Sequence, residues 1–216
     1  MPAPSKAQSH ARHPLTSILA SAGNVRMLRA LVDAGKPESA PHLAQAAGLS
    51  PRGARLVLES LQDQQIVKVH GSGRAQLYVL NEAHPLADPL SALFEQEQRR
   101  WEGLLATLRA KLAEEGSAVR AAWLYGSVSR GEDTPSSDVD VAAVVKSPAV
   151  GDRLRESLMA LEDEQHVRIS LTALTPKELA VLPATDRWWS DVVRDARVLV
   201  GPPPATAKRQ ATSATR

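Results

Sequence analysis

The sequence predicts an α+β protein built as two small domains joined by a long helix, and three observations lead there. The chain has 216 residues, enough for two cores of modest size. Its front half spaces apolar residues as helices do and then closes on a hairpin pattern, whereas its back half alternates short apolar strands with helical stretches. Between these halves, the eight apolar positions Leu90, Leu93, Phe94, Trp101, Leu104, Leu105, Leu108 and Leu112 recur at threes and fours, the stripe of one amphipathic helix.

Taken in order, residues 1–14 are rich in Pro, Ala, Ser and basic groups without periodicity and are expected to be a disordered tail, as are residues 201–216. From Asn24 to Ala34, the set Val25, Met27, Leu28, Leu31 and Val32 predicts a first helix, which Gly35-Lys36-Pro37 ends. Ser39 is placed to cap a short second helix holding Leu43, Ala44 and Ala47 before the turn at Gly48-Leu49. Ser50 then caps a third, with Pro51 at its first position, Ala54, Val57, Leu58 and Leu61 inward, and Arg52 and Arg55 on the opposite side. The runs Ile66–Val69 and Ala75–Leu80, around the turn His70-Gly71-Ser72-Gly73-Arg74, predict a basic-tipped β-hairpin.

This places a first domain over residues 15–84. The long linking helix is placed over residues 85–116, its apolar stripe from Pro89 to Glu115 spanning about 40 Å at 1.5 Å per residue. Its stripe is expected to pack on its own chain, a homodimer seam being the alternative use. A second domain follows over residues 117–200. Gly116-Ser117 breaks the helix, Val119–Tyr125 reads as a buried strand running into Gly126-Ser127, and Asp138-Val139-Asp140 leads into the apolar strand Val141–Val145. His166–Leu174 reads as a later strand, Thr175-Pro176-Lys177-Glu178 as a helix capping box, and Arg197–Val200 as a final strand. Trp123, Trp189, Val192 and Val193 are expected in the core.

Composition narrows the classes. With 43% hydrophobic and 23% charged residues, no apolar run long enough to span a bilayer, and no apolar segment behind the first residues, the chain is expected to be cytoplasmic and not a membrane protein. It has no cysteine, which excludes disulfides and Cys-based zinc sites. Residues 1–100 carry 11 basic against 8 acidic groups, and residues 101–200 carry 12 against 16. A mildly basic front is compatible with nucleic acid and an acidic back with divalent metals.

Three helices with a tight middle turn and a basic-tipped hairpin resemble the winged helix-turn-helix domains of bacterial transcriptional regulators. In that family the third helix enters the DNA major groove and the wing touches the backbone, so the resemblance implies duplex DNA as partner and contact roles for Arg52, Arg55 and Arg74.

In the back half, Asp138 and Asp140 share one face of a strand while Val139 and Val141 take the other, giving a carboxylate pincer suited to Mg²⁺. Gly126 permits close approach of backbone to a phosphate, Ser127 offers its hydroxyl and N–H, and Arg130 adds positive charge. Gly126 and Gly131 have Walker A spacing, but Glu132-Asp133 stands where that motif needs Lys and Ser/Thr. The Gly-x-Ser-x-Gly elbow of serine hydrolases is absent as well.

The string Leu124-Tyr125-Gly126-Ser127, Arg130-Gly131, Ser137-Asp138-Val139-Asp140-Val141 resembles the signature of the DNA polymerase β-like nucleotidyltransferases, especially the small bacterial branch with kanamycin nucleotidyltransferase. The resemblance covers about residues 117–200. It implies a mixed sheet flanked by helices, Gly126 and Ser127 handling the triphosphate of an NTP, ATP among them, and Asp138 and Asp140 as catalytic ligands of Mg²⁺ or Mn²⁺. The family also supplies a third carboxylate from a later strand as general base, yet His166–Leu174 contains no acid, and neither Asp163, Glu164 nor Glu178 replaces it convincingly. The expected function is nucleotidyl transfer to a hydroxyl acceptor, coupled to DNA binding. The alternative is a winged-helix regulator whose degenerate enzyme domain only binds nucleotide.

Overall fold

The structure, a computed structural model, describes residues 9–214 and divides into two compact units, Met1–Arg99 and Arg100–Arg216. The division falls inside the long helix.

In the first unit, α1 (Leu15–Ile18) precedes α2 (Ala22–Ala34). The helix α2 starts two residues before the predicted Asn24 because Ser21 caps it, its hydroxyl accepting from Asn24 N–H at 3.1 Å. Asn24 is buried, and its amide donates to Ile18 O at 3.1 Å, so the side chain ties α1 to α2. The strand β1 (Glu38–Ser39) and α3 (Ala40–Ala46) follow, Ser39 accepting from His42 N–H as its capping role requires. Ser50 likewise accepts from Gly53 N–H at 3.1 Å and starts α4 (Pro51–Asp63), with Ala54, Leu58 and Leu61 buried. The hairpin β2 (Val67–His70) and β3 (Leu77–Leu80) is antiparallel, and β1 adds to its far edge in the order β1-β3-β2, a strand too short to show in the sequence pattern.

The helix α5 (Ala87–Glu114) crosses the division. Leu90 and Phe94 belong to the core of the first unit, with Met27, Leu28 and Leu31; Leu104, Leu105, Leu108 and Leu112 belong to the core of the second. Leu93, part of the predicted stripe, is exposed.

The second unit holds β4 (Val119–Tyr125), α6 (Gly126–Arg130), β5 (Val139–Val145), α7 (Pro148–Gln165), β6 (Ile169–Leu174), α8 (Pro176–Val181), α9 (Arg187–Asp195), β7 (Arg197–Val200) and α10 (Pro204–Ala214). Its sheet runs β6-β5-β4-β7 and is mixed: β5 and β6 are parallel, joined by the crossover helix α7, and the other pairs are antiparallel. Strand alternation sorts the core into two layers. Val139, Val141, Ala143 and Val145 face α5 and α7, while Ala142 and Val144 join Trp123 and Tyr125 of β4 against α8, α9 and α10.

Two expectations require correction. Of the disordered tail expected over residues 201–216, the described residues Pro204–Ala214 instead form α10, and residues 215–216 lie outside the described residues. Ala207 and Ala211 lie four apart and both bury against the Trp189 layer, and Lys208 donates to Leu182 O at 2.7 Å with its ammonium over the Trp189 ring. Small alanine side chains carry little hydrophobic signal, which is why periodicity misses the helix. Val193, expected inside α9, is 45% exposed, whereas Trp189 and Val192 are buried. Of the expected N-terminal tail 1–14, residues 1–8 lie outside the described residues. No helix among the described residues is long and apolar enough to cross a membrane.

Candidate functional site

The aspartate pair stands where β4 and β5 meet α6. Tyr125 and Asp140 are direct partners across the antiparallel β4–β5 ladder, so the residue after Tyr125, Gly126, lies beside the Asp140 carboxylate. Gly126 has φ +77°, and a Cβ there would sit 2.5 Å from Asp140 Oδ2. Both the left-handed backbone and the lack of a side chain are therefore needed for Asp140 to occupy its position. Burial, and then the charge of Asp138, push the Asp140 pKa above its ordinary value, while a hydrogen bond with Ser170 opposes them.

Asp138 sits just before β5 and is 45% exposed. Arg168 approaches it from the residue preceding β6, with Nε 2.9 Å from Asp138 Oδ1 and the same guanidinium donating to Ser136 O. Asp138 Oδ1 is shielded from solvent and accepts no aligned hydrogen bond among the described residues, despite that ionic contact.

The parallel β5–β6 register places no acidic residue of β6 beside the pincer. Asp140 pairs with Ser170 and Ala142 with Thr172, so hydroxyl residues occupy the positions beside the pincer. Asp163 and Glu164 lie in the last turn of α7, which His166 closes with φ +51°. Glu178 completes a capping box with Thr175 at the start of α8, as predicted. Among the described residues, no group of three acidic, His or Cys side chains is arranged to hold a metal. Two carboxylates, one with an oxygen lacking an aligned hydrogen bond, nevertheless fit a divalent cation that arrives with a nucleotide, since Mg²⁺ is commonly held by one or two carboxylates plus substrate phosphates and water.

Ser127 is half-buried in the first turn of α6. Arg130, at the end of that helix, is engaged elsewhere: Nε lies 2.7 Å from Glu132 Oε2, and Nη1 bonds the Asp195 carboxylate. Asp195, only 2% exposed, also receives Arg194 Nε at 2.7 Å, and its carbonyl accepts from Ser129 Oγ at 2.6 Å. These contacts pin α6 against the end of α9 and hold the Asp195 carboxyl below its usual range, Arg194 contributing most. The fold brings Gly126, Asp138 and Asp140 together as the sequence pattern groups them, and adds Arg168 and Ser170 beside them and Asp195 on Arg130, none of which that pattern singles out. The strand run His166–Leu174 contains Arg168 and Ser170, but only the pairing register brings them to the site.

A cleft of about 660 Å³ lies on the α5–α7 face of the sheet, lined in part by Trp101, Val128, Asp133, Ser137, Val139 and Arg168; Arg168 also reaches Asp138, but neither aspartate lines the cleft. The indole of Trp188, meanwhile, donates to Tyr125 OH at 2.9 Å, and Trp123 and Trp189 are buried edge to face. In the first unit, Arg52 and Arg55 are exposed on α4, and Arg55 Nε is 2.8 Å from Glu59 Oε1 on the same helix. The Arg74 side chain lies outside what the structure describes.

Residues 108–182 match the protein-family model described as Polymerase beta, Nucleotidyltransferase, a span that includes Gly126, both aspartates and β4 to β6. That part of the chain is nucleotidyltransferase-like. No curated protein sequence matches the chain significantly. Among solved structures, it is similar to a mutant of the toxin–antitoxin MntA-HpeT at 15% identity and TM-score 0.37, over 51% of this chain and 85% of that one. The toxin–antitoxin with AMP-PNP gives 17% identity and TM-score 0.35, over 50% and 85%. A second MntA-HpeT mutant gives 19% and 0.33, over 49% and 81%.

Proposed function

We propose that the second unit binds a nucleoside triphosphate together with Mg²⁺ or Mn²⁺ and transfers its nucleoside monophosphate to a hydroxyl acceptor. The observation that carries this reading is the fit of Gly126 to Asp140: a left-handed glycine, with no room for a Cβ, presses strand-end backbone against one carboxylate of a two-carboxylate pincer. Asp138 and Asp140 would hold the cation, which when bound neutralises phosphate charge and aligns the attacking oxygen. Gly126 keeps the backbone open to the triphosphate, and Ser127 offers it a hydroxyl and N–H. Arg130, bonded to Asp195 and Glu132, acts by fixing α6 rather than as a free cation. The acceptor oxygen forms a bond to the α-phosphorus, the bond to the bridging oxygen of the β-phosphate breaks, pyrophosphate leaves, and the acceptor proton passes to solvent.

Ser170 favours a second reading, in which the domain binds nucleotide without transferring it, because a hydroxyl stands beside Asp140 where a base would be wanted. Loss of a general base costs on the order of 10²- to 10⁴-fold in rate. For the first unit we propose a cytoplasmic winged helix-turn-helix role, with α4 as the recognition helix, Arg52 and Arg55 on phosphates or base edges of duplex DNA, and Arg74 at the wing. The helix order, the paired hairpin and the exposed arginines support it.

Incubation with α-³²P-labelled NTPs and Mg²⁺ or Mn²⁺, offering the protein itself, total RNA and lysate as acceptors, tests the first reading. Label transfer that is absent in the Asp138→Asn, Asp140→Asn double variant is expected. Nucleotide binding with no transfer establishes the second reading instead, and equal transfer by the double variant removes the aspartates from the site.

A further inference from the structure

We propose that Arg168 is a latch on the aspartate pair, competing with a divalent cation for Asp138. The inference rests on the reading that Asp138 and Asp140 hold that cation. The main chain of Arg168 is fixed, its carbonyl accepting from Val139 N–H at 2.7 Å, so release of the latch needs only side-chain motion. That side chain is 62% exposed, and its guanidinium has two anchors, the Asp138 carboxylate and the Ser136 carbonyl in the loop before the pincer. The pairing is favourable in charge but poorly aligned, since Asp138 Oδ1 accepts no true hydrogen bond from Nε at 2.9 Å. Although the contacted oxygen itself is shielded, the two side chains are 62% and 45% exposed, and an ion pair between side chains so open to solvent is weak and reversible. It is strong enough to satisfy a carboxylate that would otherwise face a like charge on Asp140, and weak enough for a doubly charged ion to displace.

Both contestants use the same oxygen, so removing the guanidinium raises cation affinity, the opposite of what removing a purely structural support of the site would do. Arg100 provides the control. It lines the same cleft, but its guanidinium donates to Gln165 O at 2.9 Å and touches neither aspartate.

The test is a titration with Mn²⁺ alone, followed by the electron paramagnetic resonance signal of the free ion, for the parent chain and the variants Arg168→Gln, Arg100→Gln and Asp138→Asn. The latch requires Arg168→Gln to bind Mn²⁺ roughly 5- to 20-fold more tightly, from removal of the pair and of a nearby positive charge, with Arg100→Gln within about twofold of the parent. Unchanged or weaker binding by Arg168→Gln, while Asp138→Asn loses the ion, overturns the latch and leaves the cation site standing. An equal gain in Arg100→Gln also overturns it, since general charge would then explain the effect. If Asp138→Asn binds Mn²⁺ as the parent does, the site reading falls and the latch with it.

Discussion

Replacing Gly126 with alanine separates the fold from the site. The new Cβ would lie 2.5 Å from Asp140 Oδ2, where ordinary van der Waals separation begins near 3.4 Å, so the two must part by about 1 Å. The obstructing atom ends a side chain, and the fold can relieve the clash by turning the Asp140 carboxylate off its rotamer, at about 0.5–1.5 kcal/mol. The backbone cost of a left-handed alanine adds about 1–2 kcal/mol. A loss of roughly 2–3 kcal/mol is therefore expected, seen as a fall in Tm of roughly 5–15 °C. The site suffers more, because Asp140 is displaced by about the distance that costs on the order of 100-fold in a positioned reaction. Gly131 supplies the comparison: its φ is +71°, but no atom lies within 4 Å of a Cβ there. Gly131→Ala should lose stability through the backbone alone and retain Mn²⁺-dependent nucleotide binding within about twofold, whereas Gly126→Ala should lose at least about tenfold in affinity (about 1.4 kcal/mol). Fluorescent-nucleotide titration beside thermal melts measures both quantities. Nucleotide binding by Gly126→Ala at parental strength would refute the reasoning, as would equal losses in the two variants.

Asp195→Asn should destabilise the second unit by about 1–3 kcal/mol at neutral pH, since a buried carboxylate with charged partners is removed. A carboxyl with a lowered folded-state pKa contributes stability that is present above its unfolded value, ordinarily 3.8, and is lost as pH falls through the folded one, so the deficit should shrink in melts taken from about pH 6 down to 3; a pH-independent deficit would contradict this. Arg52→Ala with Arg55→Ala should weaken duplex DNA binding and lower its salt slope by about one unit for each phosphate no longer neutralised. Because Glu59 already engages Arg55, Glu59→Gln should strengthen binding; unaltered isotherms in both would remove α4 from the interface. Truncation after Pro203 should uncover the Trp189 layer and cost about 2–3 kcal/mol, from the apolar area that Ala207, Ala211 and the Lys208 stem cover. An unchanged melt would mean that α10 contributes nothing to the core.

The sequence by itself determined what is local. Ser39 and Ser50 are legible as caps, Pro51 as a first helical residue, Thr175 and Glu178 as a capping box, and Tyr125-Gly126 with Asp138-Val139-Asp140 as a strand end facing an acid pair, because each depends on spacing within a few residues. Pairings far apart in the chain were decided only by the tertiary structure. The parallel register of β6 against β5 is set across the α7 crossover, and it alone puts Ser170 beside Asp140 and Arg168 on Asp138. The same holds for Arg130, whose charge reads as available to phosphate until the fold brings Asp195 to it from 65 residues away, and for α10, whose two buried alanines become a core face only when Trp189 is there to meet them. Helix caps and strand alternation are short-range consequences of backbone geometry; the partner of a side chain is not, because it depends on which distant strand edge or helix face the whole sheet places against it.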